Sequence, residues 1–200
     1  MKKIIMMLFL CFVMLSPAEA AWKECDFPNV LKFAYPDTLK VQNDTYETVK
    51  TTLNSYQPNT PAILDLNFSP VDHNDKSCFV TIRVSLGRKI STSINEPVQI
   101  KADRLIKLQG SVLENASNSL GVQIDLVNPA EIFSFDDKYC IYMEYHYKLG
   151  NEQWYTYIYN FDDYDKRYRI TINVRSDKYN EWTAKPNDIR DIVKTLQPVR

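Results

Sequence analysis

Along much of this chain apolar and polar residues alternate one for one, the pattern of strands that bury a single face. "AILDLNF" sets Ala62, Leu64, Leu66 and Phe68 against Ile63, Asp65 and Asn67. "CFVTIRVSL" sets Cys78, Val80, Ile82, Val84 and Leu86 against Thr81, Arg83 and Ser85, and the polar "SPVDHNDKS" between the runs predicts a β-hairpin with one buried face. Further on, "RYRITINVR" places Tyr168, Ile170, Ile172 and Val174 opposite Arg167, Arg169, Thr171, Asn173 and Arg175. "LKFAYPDTLKV" reads as an extended pair around Tyr35-Pro36-Asp37, because proline fixes φ and disfavours helix at the residue before it. "DTYETVKTTLNSY" fits either a short helix or a strand rich in β-branched residues, and "VQIDLVNPAEIFSFDD" predicts extended structure broken at Pro129.

The period changes twice. In "INEPVQIKADRLIKLQGSVLENASNSLG" Pro97 suits a first helical turn, Ile100, Leu105, Leu108, Val112 and Leu113 recur at helical spacing, and Gly121 supplies a stop. This predicts an amphipathic helix of about five turns, with Gly110 costing it about 1 kcal/mol. "KPNDIRDIVKTLQP" has Asn187 or Asp188 as a cap and Ile189, Ile192, Val193 and Leu196 on one stripe, predicting a short terminal helix laid on the sheet.

Between these helices, "YCIYMEYHYKLGNEQWYTYIYNF" packs seven tyrosines and a tryptophan around a Leu-Gly-Asn-Glu turn. If Gly150-Asn151 is a two-residue hairpin loop, Leu149 pairs with Glu152 and Tyr147 with Trp154. Tyr145 then meets Thr156, Met143 meets Ile158 and Ile141 meets Asn160 on a face that reads as core. The other face sets Cys140, Tyr142, Glu144 and His146 against Phe161, Tyr159, Tyr157 and Tyr155. This face is amphipathic. Aligned with the polar sides of the neighbouring strands, it would join Arg83, Arg167 and Arg169 in one surface of rings and charges, a mixture that suits protein or glycan recognition. Ordinary sheet packing accounts for the same tyrosines, because cross-strand aromatic pairs stabilise sheets without any ligand.

The N-terminus changes the picture of where such a surface would work. Lys2 and Lys3 precede the apolar run Ile4 to Leu15, and Ala18-Glu19-Ala20 supplies a small-x-small cleavage site, the pattern of a secretory signal peptide over residues 1–20. The run is shorter than the roughly 20 residues that span a bilayer, so residues 21–200 read as one exported domain, periplasmic or extracellular, with no mature transmembrane segment. Of 24 basic and 25 acidic residues, Lys2, Lys3 and Glu19 leave with the leader, so 22 and 24 remain. No basic field points to nucleic acid. Cys11 also leaves, and Cys25, Cys78 and Cys140 are then either one bridge plus a thiol or three small buried hydrophobes.

Few motifs carry chemistry. His73 and His146 are the only histidines, so no paired-histidine zinc motif forms, and there is no Cys-x-x-Cys pair. Four glycines leave no Gly-x-Ser-x-Gly elbow and no phosphate loop. Cys140 and His146 share strand parity, yet six residues along a strand is about 20 Å. "DHNDKS" (Asp72, His73, Asn74, Asp75) and "DDYD" (Asp162, Asp163, Asp165) group oxygen ligands of the kind calcium takes, but both lack the glycine bend and distal glutamate of an EF-hand. Asp and Asn are also ordinary turn residues. No metal and no cofactor is expected.

The order of elements, together with a few anchors, resembles the PsbP-like family of thylakoid lumen proteins, bacterial exported relatives and Ran-binding Mog proteins. Phe33, Tyr35, Pro36, Leu39 and Val41 in "FAYPDTLKV" resemble the family's opening motif, with Leu39 where tryptophan is usual, and "IRDIVKTLQ" resembles its closing helix. The resemblance implies an α+β fold, an antiparallel sheet between helical layers (an α/β/α sandwich), and binding or assembly of other proteins, sometimes lipids or metals, with no shared active site. The expected function is that of an exported bacterial non-catalytic binding or assembly protein. Its partner would be a protein, glycan or lipid in the envelope or outside the cell, held by Tyr142, Glu144, His146, Tyr155, Tyr157, Tyr159, Arg83, Arg167 and Arg169. The alternative is a small secreted hydrolase with a site at His146 and Glu144.

Overall fold

Alternating side chains make a strand useful only if something covers its apolar side, and here two covers of different kind do so. The computed structural model describes residues 21–42, 63–86, 107, 110, 111, 113–115, 117, 118, 121–135, 138–163 and 166–199. The signal-like leader, the "DTYETVKTTLNSY" segment and the start of the mid-chain helix at Pro97 lie outside them.

Strands β3 (Leu39–Val41), β4 (Ile63–Pro70), β5 (Cys78–Leu86), β6 (Ile124–Phe135), β7 (Lys138–Leu149), β8 (Glu152–Asp163) and β9 (Lys166–Arg175) form a seven-stranded sheet in the order β3-β4-β5-β9-β8-β7-β6. Every pairing in it is antiparallel. Strands β1 (Trp22–Phe27), β2 (Leu31–Pro36) and β10 (Gln197–Pro198) form a second sheet in the order β1-β2-β10. The "LKFAYPDTLKV" pair is therefore split: β2 belongs to the small sheet and β3 to the large one, with the chain crossing over at Asp37-Thr38.

The inner face of the large sheet carries Leu64, Leu66, Phe68, Val80, Ile82, Val84, Ile170, Ile172 and Val174, all buried. Over them sit Phe27, Leu31 and Phe33 of the small sheet and the C-terminal residues Trp182, Ile189, Ile192, Val193 and Leu196. Polar bonds fix this cover. Trp182 Nε1 donates to Ser77 Oγ at 2.9 Å, the Tyr168 hydroxyl donates to the Val30 carbonyl at 3.2 Å, and Thr195 Oγ1 accepts from Ala34 N at 2.9 Å. The predicted terminal helix is a 3-10 helix, Ile189–Thr195, capped by Asp188, whose side chain accepts from Arg190 N. Its buried stripe is the one the sequence predicts. A short α-helix, α1 (Tyr179–Thr183), precedes it.

On the outer face a smaller apolar cluster of Met143, Tyr145, Tyr147, Trp154 and Ile158 packs against Phe79, Leu113, Val122 and Ile124. The described residues between 107 and 118 are helical, and Gly121, at φ +64°, ends that turn by donating its N–H to Ser117 O at 2.8 Å. The fold is thus mostly antiparallel sheet with few helices among the described residues. On the inner side the helical layer expected there is largely a three-stranded sheet with short helical turns. The break expected at Pro129 is a pair of register shifts in edge strand β6, between Leu126 and Glu131, where an unpaired N–H is not needed. Among the described residues no helix is long and apolar enough to cross a membrane.

Candidate functional site

The tyrosine-rich hairpin has the register that a Gly150-Asn151 loop predicts. Leu149 pairs with Glu152, Tyr147 with Trp154, Glu144 with Tyr157 and Cys140 with Phe161. Gly150 has φ +62° at the first loop position, where a type II′ turn has glycine. Its inner-face side chains grade from sealed to half-open across the sheet. Tyr157 is 1% exposed and Phe161 3%, beneath the C-terminal cover, whereas Tyr142, Glu144, His146 and Tyr155 are half-buried. The cover is complete over β9 and over the Cys140–Phe161 end of the hairpin, and thins toward Glu144, His146 and Tyr155.

Glu144 is the centre of the half-open part. Its Oε2 accepts from the Tyr142 hydroxyl at 2.7 Å and from Asn128 Nδ2 at 3.0 Å, while Oε1 lies 3.3 Å from His146 Nε2. The His146 ring meets the Tyr155 ring edge-on with centroids 4.1 Å apart, and Tyr155 in turn meets Tyr179 at 5.0 Å. Tyr142 lies against Tyr159 at 5.1 Å. Arg190 sits 5.5 Å from the centroid of Tyr157 and is held there by a two-pronged pair with Asp188, at 2.8 and 2.7 Å. Burial, reinforced by the hydrogen bond to Glu144, pushes the Tyr142 phenol far above its usual value. Burial does the same to Tyr157 and Tyr159, with Arg190 opposing. The Tyr157 hydroxyl is buried without a hydrogen-bond partner, and Tyr179 is near enough to raise it without bonding geometry. These phenols stay protonated, so the cluster offers donors, ring faces and the Glu144 carboxylate, the Asp188 carboxylate being taken up by Arg190.

Asn128, Tyr179, Asp188 and Arg190 belong to this cluster and are absent from the sequence-based set. Asn128 reaches Glu144 only because of the β6 register shift. Tyr179 and Arg190 arrive by folding of the C-terminal segment over the sheet. Neither has a local sequence signal; the cap at Asn187 or Asp188 and the apolar stripe predict only that the segment after Pro186 docks on the sheet.

The arginines do not join the tyrosines. Tyr155, Tyr157 and Tyr159 pair with Val174, Ile172 and Ile170, so they share the inner face. Arg83, Arg167 and Arg169 lie on the outer face, with Met143 and Tyr145. The single mixed surface is corrected to two surfaces. The alternation within each strand was sound, but the hairpin's amphipathic side is the one that meets the core.

Elsewhere the candidate ligands have structural work. Asp72 Oδ1 accepts from Asn74 N at 2.9 Å and Asp75 Oδ1 from Ser77 N at 2.8 Å, which are turn-forming bonds. The side chains of Asp162, Asp163 and Asp165 lie outside the described residues. Cys25, Cys78 and Cys140 are free thiols, with Cys140 pushed up to about 12 and Cys25 to about 11, in both cases chiefly by burial.

No protein-family model matches the sequence, and no curated protein matches it. Solved structures do. The solution structure of cyanobacterial PsbP from Synechocystis sp. PCC 6803 superposes with a TM-score of 0.58 at 12% identity, covering 92% of this chain and 95% of that one. The chain has the PsbP-like fold. A crystal structure from Bacteroides thetaiotaomicron VPI-5482 matches with a TM-score of 0.50 at 11% identity, over 89% of this chain and 48% of that one. LpqN of Mycobacterium tuberculosis, involved in cell envelope biogenesis, matches with a TM-score of 0.47 at 9% identity, over 94% of this chain and 95% of that one. At such identities the PsbP-like likeness is one of fold alone, so the Glu144 cluster has to be read from its own chemistry.

Proposed function

We propose that this chain is an exported bacterial binding or assembly protein. Residues 1–20 would be removed as a signal peptide, and residues 21–200 would act as one PsbP-like α/β/α domain holding a protein, glycan or lipid partner without chemistry on it. The helical residues between 107 and 118 packed on the outer face support the helix-flanked reading. The observation that carries the binding role is the half-open Glu144 cluster. A carboxylate 16% exposed collects three polar neighbours beside the edges of Tyr155 and Tyr179. Groups fixed by one another lose little freedom when a partner docks, which is how a small aromatic patch binds well.

The hydrolase reading has one observation in its favour, the 3.3 Å approach of His146 to Glu144, which could orient a general base. Among the described residues, however, the hydrogen-bonded contacts of His146 are limited to Glu144. Cys140, on the same face, holds its proton too firmly to serve as a nucleophile.

The test has two arms. For export, the full-length chain is expressed in a bacterium and fractionated, and the expected product is an envelope or medium species beginning at Ala21. A cytoplasmic chain retaining Met1 removes that half of the proposal. For binding, a photo-crosslinking residue is placed at position 155 or, as control, at the exposed hairpin tip Leu149. Adducts at 155, absent at 149 and reduced by Glu144→Gln, are expected. Equal adducts at the two positions, or turnover in an esterase and glycosidase screen that His146→Ala abolishes, would reverse the order of the two readings.

A further inference from the structure

Among the described residues the outer face carries four arginines, and their neighbours differ: Arg175 is held by Asp177 and Glu152. Arg83 is paired in register with Asp65, and both its Nε and Nη2 donate to Asp65 Oδ2, at 3.1 and 2.6 Å. Arg167 is paired in register with Asp162. Arg169 has no carboxylate opposite: its register partners are Arg83 on β5 and Asn160 on β8. Like charges directly opposite destabilise a sheet, and an arginine cannot shed its proton to escape. Among the described residues Arg169 has neither a hydrogen bond nor an ion pair, although it is half-buried. Burial, first, weakens its hold on the proton; the nearby Tyr145 opposes this and the neighbouring Arg83 adds to it.

The next residue in the same row supplies an independent sign of a missing acceptor. Asn160 Nδ2 is buried and has no hydrogen-bond partner. Buried donors are ordinarily satisfied, and an orphan asks for a ligand, water or ion. Two unsatisfied donors on adjacent strands thus sit side by side, one of them a permanent cation. At the far end of the row, beyond Arg83, Asp65 Oδ1 is buried and unpartnered too. Its negative charge repels an anion from that end and confines it to the Arg169 and Asn160 side.

From the row Asp65–Arg83–Arg169–Asn160 we propose that the outer face binds a small oxyanion, a carboxylate or phosphate group, between the Arg169 guanidinium and the Asn160 amide. The guanidinium fork matches either group with two parallel N–H···O bonds, and the amide supplies a third donor. This site is separate from the Glu144 cluster, on the opposite side of the sheet, and stands whether or not that cluster binds a partner.

The experiment is a titration of the folded protein with sodium phosphate, sodium acetate and sodium chloride in turn, following the arginine Nε–H resonances by NMR. Arg169 should shift saturably with phosphate or acetate and only weakly with chloride, and whichever of the two binds tighter identifies the oxyanion. Arg169→Gln should weaken that response at least about tenfold, since a hydrogen bond to a charged group is worth that much or more. Asn160→Asp supplies the missing carboxylate from within the chain. It should abolish the response and raise the melting temperature, so the inference does not depend on how well the Gln variant folds. A response to phosphate and acetate no greater than to chloride overturns the proposal, as does an Asn160→Asp chain that melts lower and still binds.

Discussion

The two faces of the β7–β8 hairpin are built by the same alternation of residues and do opposite things. Outward, Met143, Tyr145, Tyr147, Trp154 and Ile158 form a small apolar cluster capped by a few residues around Leu113 and Val122. Inward, the side chains join the main core where β8 meets β9, then turn polar at Glu144 and His146 where the cover thins. Polarity does not decide which face is buried. What decides it is the element laid over each patch, and the inner face receives a second sheet and the C-terminal segment as one continuous lid.

The sharpest test of this contrast is adjacent on one strand. Ile170 is fully buried in the main core, and Thr171 points outward beside it. Ile170→Ala should cost about 2–5 kcal/mol, through lost transfer energy and the cavity left behind. Thr171→Ala should stay within about 1 kcal/mol. The readout is the urea midpoint at an unchanged denaturant slope. Similar losses for the two would mean that the outer face holds as much of the stability as the inner one.

Next in size is the bond that pins the lid. Ser77→Ala leaves Trp182 Nε1 buried without its acceptor, and a loss of about 1–3 kcal/mol is expected in the same measurement. The outer-face counterpart, Thr81→Ala, removes the hydroxyl that donates to Asn67 Oδ1 at 3.0 Å in a half-buried setting, where lost bonds are replaced by water. Its loss should be below about 1 kcal/mol. If Thr81→Ala proves the more damaging, the lid is not what holds the inner face shut.

The alkaline limb of stability draws on both faces, since burial also raises the outer Tyr145 and Tyr147 phenols, Tyr147 to about 12. Folding raises Cys140 from 9.0 to about 12 and raises the Tyr142, Tyr157 and Tyr159 phenols from 10.0. Above pH 9 the unfolded chain sheds protons that the native chain still holds, so stability is full below that pH and declines as pH rises toward 12. The slope is at most about 1.4 kcal/mol per pH unit for each group. Tyr157→Phe removes an inner phenol whose hydroxyl has no partner, so it should leave stability at pH 7 unchanged or raised and flatten the decline above pH 10. A Tyr157→Phe chain that is weaker at pH 7 and declines as steeply would show that the hydroxyl is bonded after all.

Much of this was legible in the residues. The hairpin register followed from Gly150-Asn151, because a two-residue loop fixes every pair behind it. The buried stripe Ile189, Ile192, Val193 and Leu196 followed from spacing, and the PsbP-like fold from the order of elements with the Phe33 to Val41 anchor. What failed to show was which side of the hairpin faced the core. Alternation has a period of two and gives each strand two sets of residues, but it carries no label linking a set on β8 to a set on β9. The register of β8 against β9 sets that link, and it pairs Tyr157 with Ile172 rather than with an arginine neighbour. The split of "LKFAYPDTLKV" between two sheets was equally hidden, since a crossover and a hairpin turn use the same proline chemistry.

The smallest effect expected concerns a carboxylate on each face. Asp65 holds Arg83 with side chains 38% and 55% exposed, so water and salt screen the pair and Asp65→Asn should cost less than about 1 kcal/mol in dilute buffer. That cost should fade in 1 M salt, where charges are screened beyond about 3 Å. Glu144, at 16% exposure, takes neutral donors from Tyr142 and Asn128, and Glu144→Gln turns an amide N–H₂ toward one of them. Its penalty, on the order of 1 kcal/mol, arises from a mismatched hydrogen bond and should persist in high salt. Chemical denaturation with urea at low and high salt compares the two variants directly. Should salt erase both penalties alike, the Glu144 cluster would be an ordinary exposed charge network, and the inner face would be open to water around Glu144 and His146.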